Sequence, residues 1–204
     1  MQTPSFLFQI IVLFLSIIIH EVSHGYVADA LGDPTARLQG RLTLNPLKHI
    51  DPVGSIFVPV LTFFTGGFIF GWAKPVPFNP YNLKNRRSGE LFIALAGPFS
   101  NLAIALIFGT IIRFGIFSTT FLTLSAYIIV INISLAVFNL IPLPPLDGSK
   151  IIFCFFPTDA KWNKIRRQIE QYSLFLVFFL VFFLWQFLTP IIPFLFGIFT
   201  GVQL

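Results

Sequence analysis

Charge is what this sequence has least of. Only 10% of its 204 residues are charged, whereas a soluble domain carries about a quarter. Cysteine is nearly absent too, and the single Cys154 excludes a disulfide framework and a cysteine-based zinc site. No basic segment precedes the first apolar run, so we expect no cleavable signal peptide. At this length we expect one core and no separate soluble domain.

Apolar side chains dominate instead. They make up 55% of the chain, with 28 phenylalanines and a mean hydropathy of +0.85. A membrane-spanning helix needs about 20 apolar residues. Four stretches come close to that length: 6–26, 91–112, 121–141 and 173–188. We therefore predict an all-α polytopic membrane protein.

A fifth apolar stretch, 53–70, is shorter and is interrupted by a proline and a pair of glycines. With four crossings, twelve of the thirteen Lys and Arg residues fall on one side, in connections 27–90 and 142–172. A fifth crossing would divide them nine to four. The positive-inside rule therefore favours cytoplasmic connections, an outside N-terminus and a re-entrant 53–70. A fifth ordinary span is the alternative.

The first span ends in the motif HEVSH, at 20–24. His20 and His24 are four residues apart, so on a helix they lie on one face and can hold one metal ion. Glu21 lies about 100° around the helix, where it can reach a metal-bound water without binding the metal. This pattern suits zinc-dependent hydrolysis. The alternative is a frayed helix end with solvated polar residues.

A catalytic zinc ion needs a third protein ligand. Asp147 follows the third span and returns to the same face of the membrane as His24, because two crossings separate them. Glu90 and Glu170 are other possibilities, but they lie in polar stretches without a supporting motif. An ordinary Asp-Gly turn is the alternative for Asp147, which remains the better candidate.

Two further motifs follow HEVSH along the chain, AGPFSN at 96–101 and NLIPLPPLDG at 139–148. Together the three motifs resemble those of the site-2 protease family, zinc metalloproteases that cleave substrates within the membrane. The resemblance covers about residues 4–160, and FGWAKPVPFNP at 70–80 is similar to the compact prokaryotic branch. It implies a three-helix catalytic core plus a C-terminal membrane helix, with a re-entrant, β-hairpin-like insertion between the first two core helices. PDZ and CBS domains are not expected. The three motifs occur in the family's order.

The resemblance also implies roles for single residues. It makes Glu21 the general base and acid, and Asn139 a donor to the scissile carbonyl or its oxyanion. It implies three zinc ligands: His20, His24 and Asp147. Among the support residues, we expect Gly97 and Pro98 to permit close helix packing and Asn101 to support the site.

We expect an extended strand at about 68–77 to hold an unwound substrate by backbone pairing. Three of its residues, Phe68, Gly71 and Trp72, are candidates for substrate binding or support. A wall that merely shields the zinc is the alternative. We further expect turns and short strands over 32–46, and His49 as an interfacial loop residue. A polar water path could be lined by Asn101, Asn132 and Asn139.

The predicted function is a zinc-dependent intramembrane endopeptidase that acts on transmembrane segments of other proteins. Its expected location is a bacterial or archaeal cell membrane, with the active site toward the cytoplasm. Lipid headgroups account for the basic surplus, so no nucleic-acid partner is expected. A non-proteolytic zinc-binding protein or a metal transporter is the alternative. It would explain His and Asp within a membrane, but it does not need Glu21 beside the metal.

Overall fold

Helices form the regular structure in the part of the chain that the structure describes. The computed structural model describes residues 6–57, 64, 73–115, 117–157, 159–179, 186 and 189–203. Within these ranges no strand occurs. The helices are α1 (Phe6–Ala30), α2 (Thr35–Leu38), α3 (Arg86–Phe114), α4 (Thr119–Asn139), α5 (Asp147–Phe153), α6 (Ala160–Gln171), α7 (Ser173–Phe179) and α8 (Ile191–Thr200). Short 3-10 turns lie at Pro46–Lys48 and Pro80–Asn82, and a π-helical turn lies at Pro52–Phe57.

Among the described residues, three helices, α1, α3 and α4, are long and apolar enough to cross a membrane. They contain the predicted spans 6–26 and 91–112 and nearly all of 121–141. Only 22% of the most apolar part of α1 is buried within the protein, which is consistent with a helix largely surrounded by lipid. Over the described residues, the predicted all-helical membrane protein is thereby confirmed. The predicted fourth span begins as α7, and most of its continuation lies outside the described residues. At ten residues, α8 is too short to span.

Local capping sets the ends of these helices. The side chain of Asn85 accepts the backbone N–H of Ser88, so α3 begins five residues before the predicted apolar run. The Ser118 hydroxyl accepts the N–H of Phe121 at the start of α4. At its other end α4 stops at Asn139, shortly before the prolines of the 142–145 segment, which cannot continue a helix.

Helix α3 packs between α1 and α4 and also contacts α5 and α8. The main apolar cluster joins α3, α4 and α8: Ala105, Ile129, Ile133, Val137, Ile192 and Phe196. Gly109 of α3 lets Phe199 of α8 approach closely, because a Cβ at this glycine would lie 2.7 Å from the Phe199 Cβ. A second cluster, of Ala28, Leu83 and Ile93, ties the end of α1 to α3.

The segment 32–46 differs from the prediction, since it forms turns and helix α2 and contains no strand. The Asp33 carboxylate accepts hydrogen bonds from the N–H and the hydroxyl of Thr35, which favours a helical start. Of the predicted re-entrant stretch, only its beginning is described, as the π-helical turn, together with residue 64. Of the strand predicted at about 68–77, residues 68–72 lie outside the described residues. Residues 73–79 are described and have no regular secondary structure.

Candidate metal centre

Helix α1 presents the two histidines of the HEVSH motif toward α3. His20 and His24 are 5% and 7% exposed, although they belong to an apolar helix. Their rings meet edge to face, with centroids 4.7 Å apart. This is the arrangement expected of side chains one helical turn apart.

Asp147, the first residue of α5, lies against both rings. Its Oδ2 atom is 3.0 Å from His20 Nε2 and 3.1 Å from His24 Nε2. Its other oxygen accepts a hydrogen bond from Lys150 Nζ at 3.0 Å. One ligand atom from each of the three residues lies within 4.8 Å of the others, so the group could hold a metal ion. Burial acts to raise the pKa of Asp147, but its contacts with the two imidazole rings and the nearby Lys150 charge outweigh burial and lower that pKa.

Gly97 of α3 faces both Nε2 atoms at close range. A Cβ built on it would overlap His20 Nε2 and His24 Nε2, so only glycine leaves this space open. Two imidazole nitrogens and one carboxylate oxygen form a three-ligand set of the kind found at catalytic zinc, with the fourth position left for water or substrate. The donor set and the space beside it therefore fit a zinc ion.

Each imidazole is oriented through its second nitrogen. The Nδ1 atom of His20 lies 2.6 Å from Asn101 Oδ1, and that of His24 lies 2.6 Å from the carbonyl oxygen of Ile93. Both partners are acceptors, so each Nδ1 carries the proton and donates. Each Nε2 is then left with a lone pair for a metal.

Asn101 continues this contact into a buried polar network across α1, α3 and α4. Its amide donates to Asn132 Oδ1 at 2.9 Å and to the Ser16 carbonyl at 3.3 Å. The amide of Asn132 donates to Ser16 Oγ at 3.0 Å. Asn101 and Asn132 have no exposed surface. They therefore join helices and do not line the water path that was predicted for them. Ser16 was not predicted, although a polar residue one turn before His20 was a visible signal.

Glu21 is half-buried and contacts a second segment of the chain. Its Oε2 atom accepts the backbone N–H of Val76 at 2.9 Å. The segment 73–79 thus runs beside the histidine pair.

Three other predicted residues have different surroundings. Asn139 is half-buried, and its amide donates to the Leu135 carbonyl one turn earlier in α4, at 3.0 Å. Pro98 is buried inside α3, next to the glycine that makes room for the rings. His49 is fully buried in its loop, where its Nε2 donates to the Thr43 carbonyl at 2.8 Å. His49 thus lies in a loop and outside the metal group, as expected, and its interfacial position stays a prediction.

The two residues considered in place of Asp147 as the third metal ligand both pair with arginines. Glu90 accepts from Arg86 at 2.8 Å and Glu170 from Arg166 at 2.9 Å, so neither belongs to the metal group. Phe68, Gly71 and Trp72, predicted to bind or support substrate, lie outside the described residues.

Comparison with known families agrees with this geometry. The sequence matches peptidase family M50, the site-2 protease family, over residues 8–121 and 116–184. The chain belongs to this family. The M50 match covers all three long helices and the Asp147 segment, so the family indicated by the three motifs is confirmed.

Several relatives of this M50 chain carry descriptive names. The Bacillus subtilis (strain 168) protein "Putative zinc metalloprotease YwhC" is 39% identical over 181 residues, 84% of this chain and 80% of the relative. The protein named Rip2 of Mycolicibacterium smegmatis is 31% identical over 136 residues, 66% of this chain and 51% of the relative. "Zinc metalloprotease MJ0392" of Methanocaldococcus jannaschii is 26% identical over 142 residues, 70% of this chain and 32% of the relative. The chain thus spans most of the length of YwhC but about half of Rip2. No solved structure gives a significant match.

These comparisons confirm the predicted enzyme class, a metallopeptidase of the zinc type. The zinc in the relatives' names agrees with the donor set found between α1 and α5.

Proposed function

We propose that this M50 chain is a zinc-dependent endopeptidase that hydrolyses peptide bonds in transmembrane segments of membrane proteins. One observation carries the proposal. Three buried metal-ligand side chains converge within 4.8 Å of one another, and two of them project from a helix long and apolar enough to span a membrane. Ionisable groups placed there are costly and mark functional sites.

In this proposal the ligands are His20, His24 and Asp147, held by the contacts described above. A zinc ion held by these three residues would supply a Lewis acid able to activate water at neutral pH and polarise a peptide carbonyl. Glu21 takes the proton of the attacking water and passes it to the leaving amine nitrogen. The Asn139 amide has a second hydrogen that is not engaged in the bond to the Leu135 carbonyl, and this hydrogen donates to the scissile carbonyl oxygen.

A helical substrate hides its peptide bonds in its own hydrogen-bond ladder, so it must unwind before cleavage. The predicted strand is the element proposed to hold the unwound segment by backbone pairing. Residues 74–76 offer no free N–H for this purpose, because Pro75 has none and the N–H groups of Lys74 and Val76 bond within the protein. The pairing is therefore proposed for the part around Phe68, Gly71 and Trp72.

The distribution of Lys and Arg supports a cell-membrane location with the site toward the cytoplasm. The proposed partners are transmembrane substrate proteins and the lipid bilayer.

The decisive experiment reconstitutes the parent chain with a panel of single-span membrane proteins and identifies fragments by mass spectrometry. Glu21→Gln should abolish cleavage and keep about one zinc per chain. Glu90→Gln, which removes a carboxylate paired with Arg86 outside the metal group, is the matched control and should cleave like the parent. Persistent cleavage by Glu21→Gln would refute the role of the base. Zinc transport into proteoliposomes without cleavage would favour the transporter alternative.

A further inference from the structure

The tripeptide Pro75-Val76-Pro77 contains a single backbone N–H, because proline has none. That N–H donates to Glu21 Oε2 at 2.9 Å. An extended segment with donors at every residue could bond this carboxylate in several registers. With prolines on both sides, only one register is available.

The backbone before Val76 is held from the opposite side by the loop 41–49. The N–H of Lys74 donates to the His49 carbonyl at 2.9 Å. Arg41 Nη2 donates to the carbonyl of Lys74 at 2.8 Å and to that of Pro75 at 3.2 Å. Arg41 is only 7% exposed. A buried guanidinium that bonds two successive carbonyls fixes both the position and the direction of the chain.

The backbone after Val76 is fixed as well. The N–H of Asn79 donates to Asp33 Oδ2 at 2.6 Å, so the loop after α1 holds this end of the segment. The Val76 side chain is 7% exposed and packs on Gly25, where a Cβ would lie 2.7 Å from Val76 Cγ1. The glycine that follows His24 thus lets the segment lie directly on α1.

We propose that the Val76 N–H is a positioning donor for Glu21. It holds Oε2 and leaves Oε1 directed at the attacking water, while Arg41 keeps the donor in place. This inference rests on the proposed function, in which Glu21 is the base. A carboxylate on two flexible methylenes is otherwise free to turn away, and a displacement of about 1 Å at a reacting group can cost about 100-fold in rate.

The first test does not depend on activity. Amide hydrogen exchange is measured on 15N-valine-labelled protein in nanodiscs, with the Val76 resonance assigned by its loss in Val76→Ala. Loss of a hydrogen bond to a charged group should speed exchange of the Val76 amide by about 10-fold or more in Glu21→Ala. Val137, inside α4, is the control and should exchange at the same rate in both proteins. Equal exchange of Val76 in both proteins would overturn the proposal.

The second test removes only the N–H, by replacing Val76 with its α-hydroxy acid through amber suppression. The expected result is a kcat about 10- to 100-fold lower, with KM and zinc stoichiometry unchanged. The same exchange at Tyr81, whose N–H donates to Asn79 Oδ1 in a turn, is the matched control and should keep the parent kcat. A kcat within twofold of the parent in the Val76 ester would contradict the positioning role.

Arg41→Lys provides a second route if the ester protein does not fold. Lysine keeps the charge but loses the two-carbonyl contact, so kcat should fall while zinc binding persists. An unchanged kcat in this variant would also overturn the proposal. If the parent cleaves no member of the panel, the proposed function fails, and the amide exchange result still decides whether Val76 holds Glu21.

Discussion

Asn101 Oδ1 lies 2.6 Å from His20 Nδ1, and the asparagine has no exposed surface. The amide of this asparagine is in turn held by groups on α1 and α4. The orientation of one proposed zinc ligand therefore depends on all three long helices. A site on loops would not have this dependence.

Replacing Asn101 with leucine should lower zinc affinity about 10- to 100-fold, because the His20 ring loses the acceptor that fixes its tautomer. The measurement is competition with a zinc chelator. Thr110→Val, on the exposed part of the same helix, removes a hydrogen bond to the Ile107 carbonyl and should leave affinity unchanged. A parent-like affinity in Asn101→Leu would show that the contact does not position the ligand.

Replacing Asn132 with leucine should act mainly on stability. The Ser16 hydroxyl and the Asn101 amide would lose a partner inside an apolar core, at a cost of about 1–3 kcal/mol. Zinc affinity should fall less than in Asn101→Leu, since His20 keeps its acceptor. Thermal unfolding in detergent, compared with Thr123→Val on the same helix, measures the effect. Equal unfolding temperatures for Asn132→Leu and Thr123→Val would show that the polar network does not stabilise the fold.

Gly97→Ala should abolish zinc binding, because the new Cβ would overlap both Nε2 atoms and the helix backbone cannot yield. Gly197→Ala is a matched control in α8, where the nearest atom to the new Cβ is 3.7 Å away. That control should retain zinc and fold at least as well as the parent. Zinc content per chain, measured by elemental analysis, separates the two. Full occupancy in Gly97→Ala would refute the proposed site.

Asp33 should make stability depend on acid pH. Burial acts to raise its pKa, but hydrogen bonds from Thr35, Asn79 and Asn82 outweigh burial and hold that pKa below its usual range. A lowered folded-state pKa stabilises the fold above the unfolded value of about 3.9. This contribution is lost as pH falls through the lower folded value.

Asp33→Asn should therefore unfold at a lower temperature than the parent at pH 7. The difference between the two proteins should shrink below about pH 4. Unfolding temperatures measured in detergent from pH 7 to pH 3 provide the test. A constant difference across this range would mean that the Asp33 charge does not contribute.

The apolar runs predicted the positions of the three long helices, because the length and hydropathy of a segment alone decide whether it can span a membrane as a helix. They could not predict that α3 begins at Arg86, because a polar first turn capped by Asn85 carries no apolar signal. Residues 32–46 have alternating polarity, which favoured strands, but the Asp33 hydrogen bonds gave the local helix α2 instead.

For the site, spacing and topology were sufficient to name His20, His24 and Asp147 as a group, and the structure brings them together. Contacts between distant segments were not predictable in the same way. Gly97 was predicted to serve helix packing, while its position over the two imidazole rings depends on how α1 and α3 cross. The bond from Val76 to Glu21 joins residues 55 positions apart, and neither HEVSH nor FGWAKPVPFNP indicates by itself that the two residues meet.

The buried amides of Asn101 and Asn132 also restrict the route by which a transmembrane helix could reach the proposed site. Separating α1 from α4 near Ser16 would break the hydrogen bonds of Asn101 and Asn132 without water to replace them. Lateral access through that seam is therefore costly.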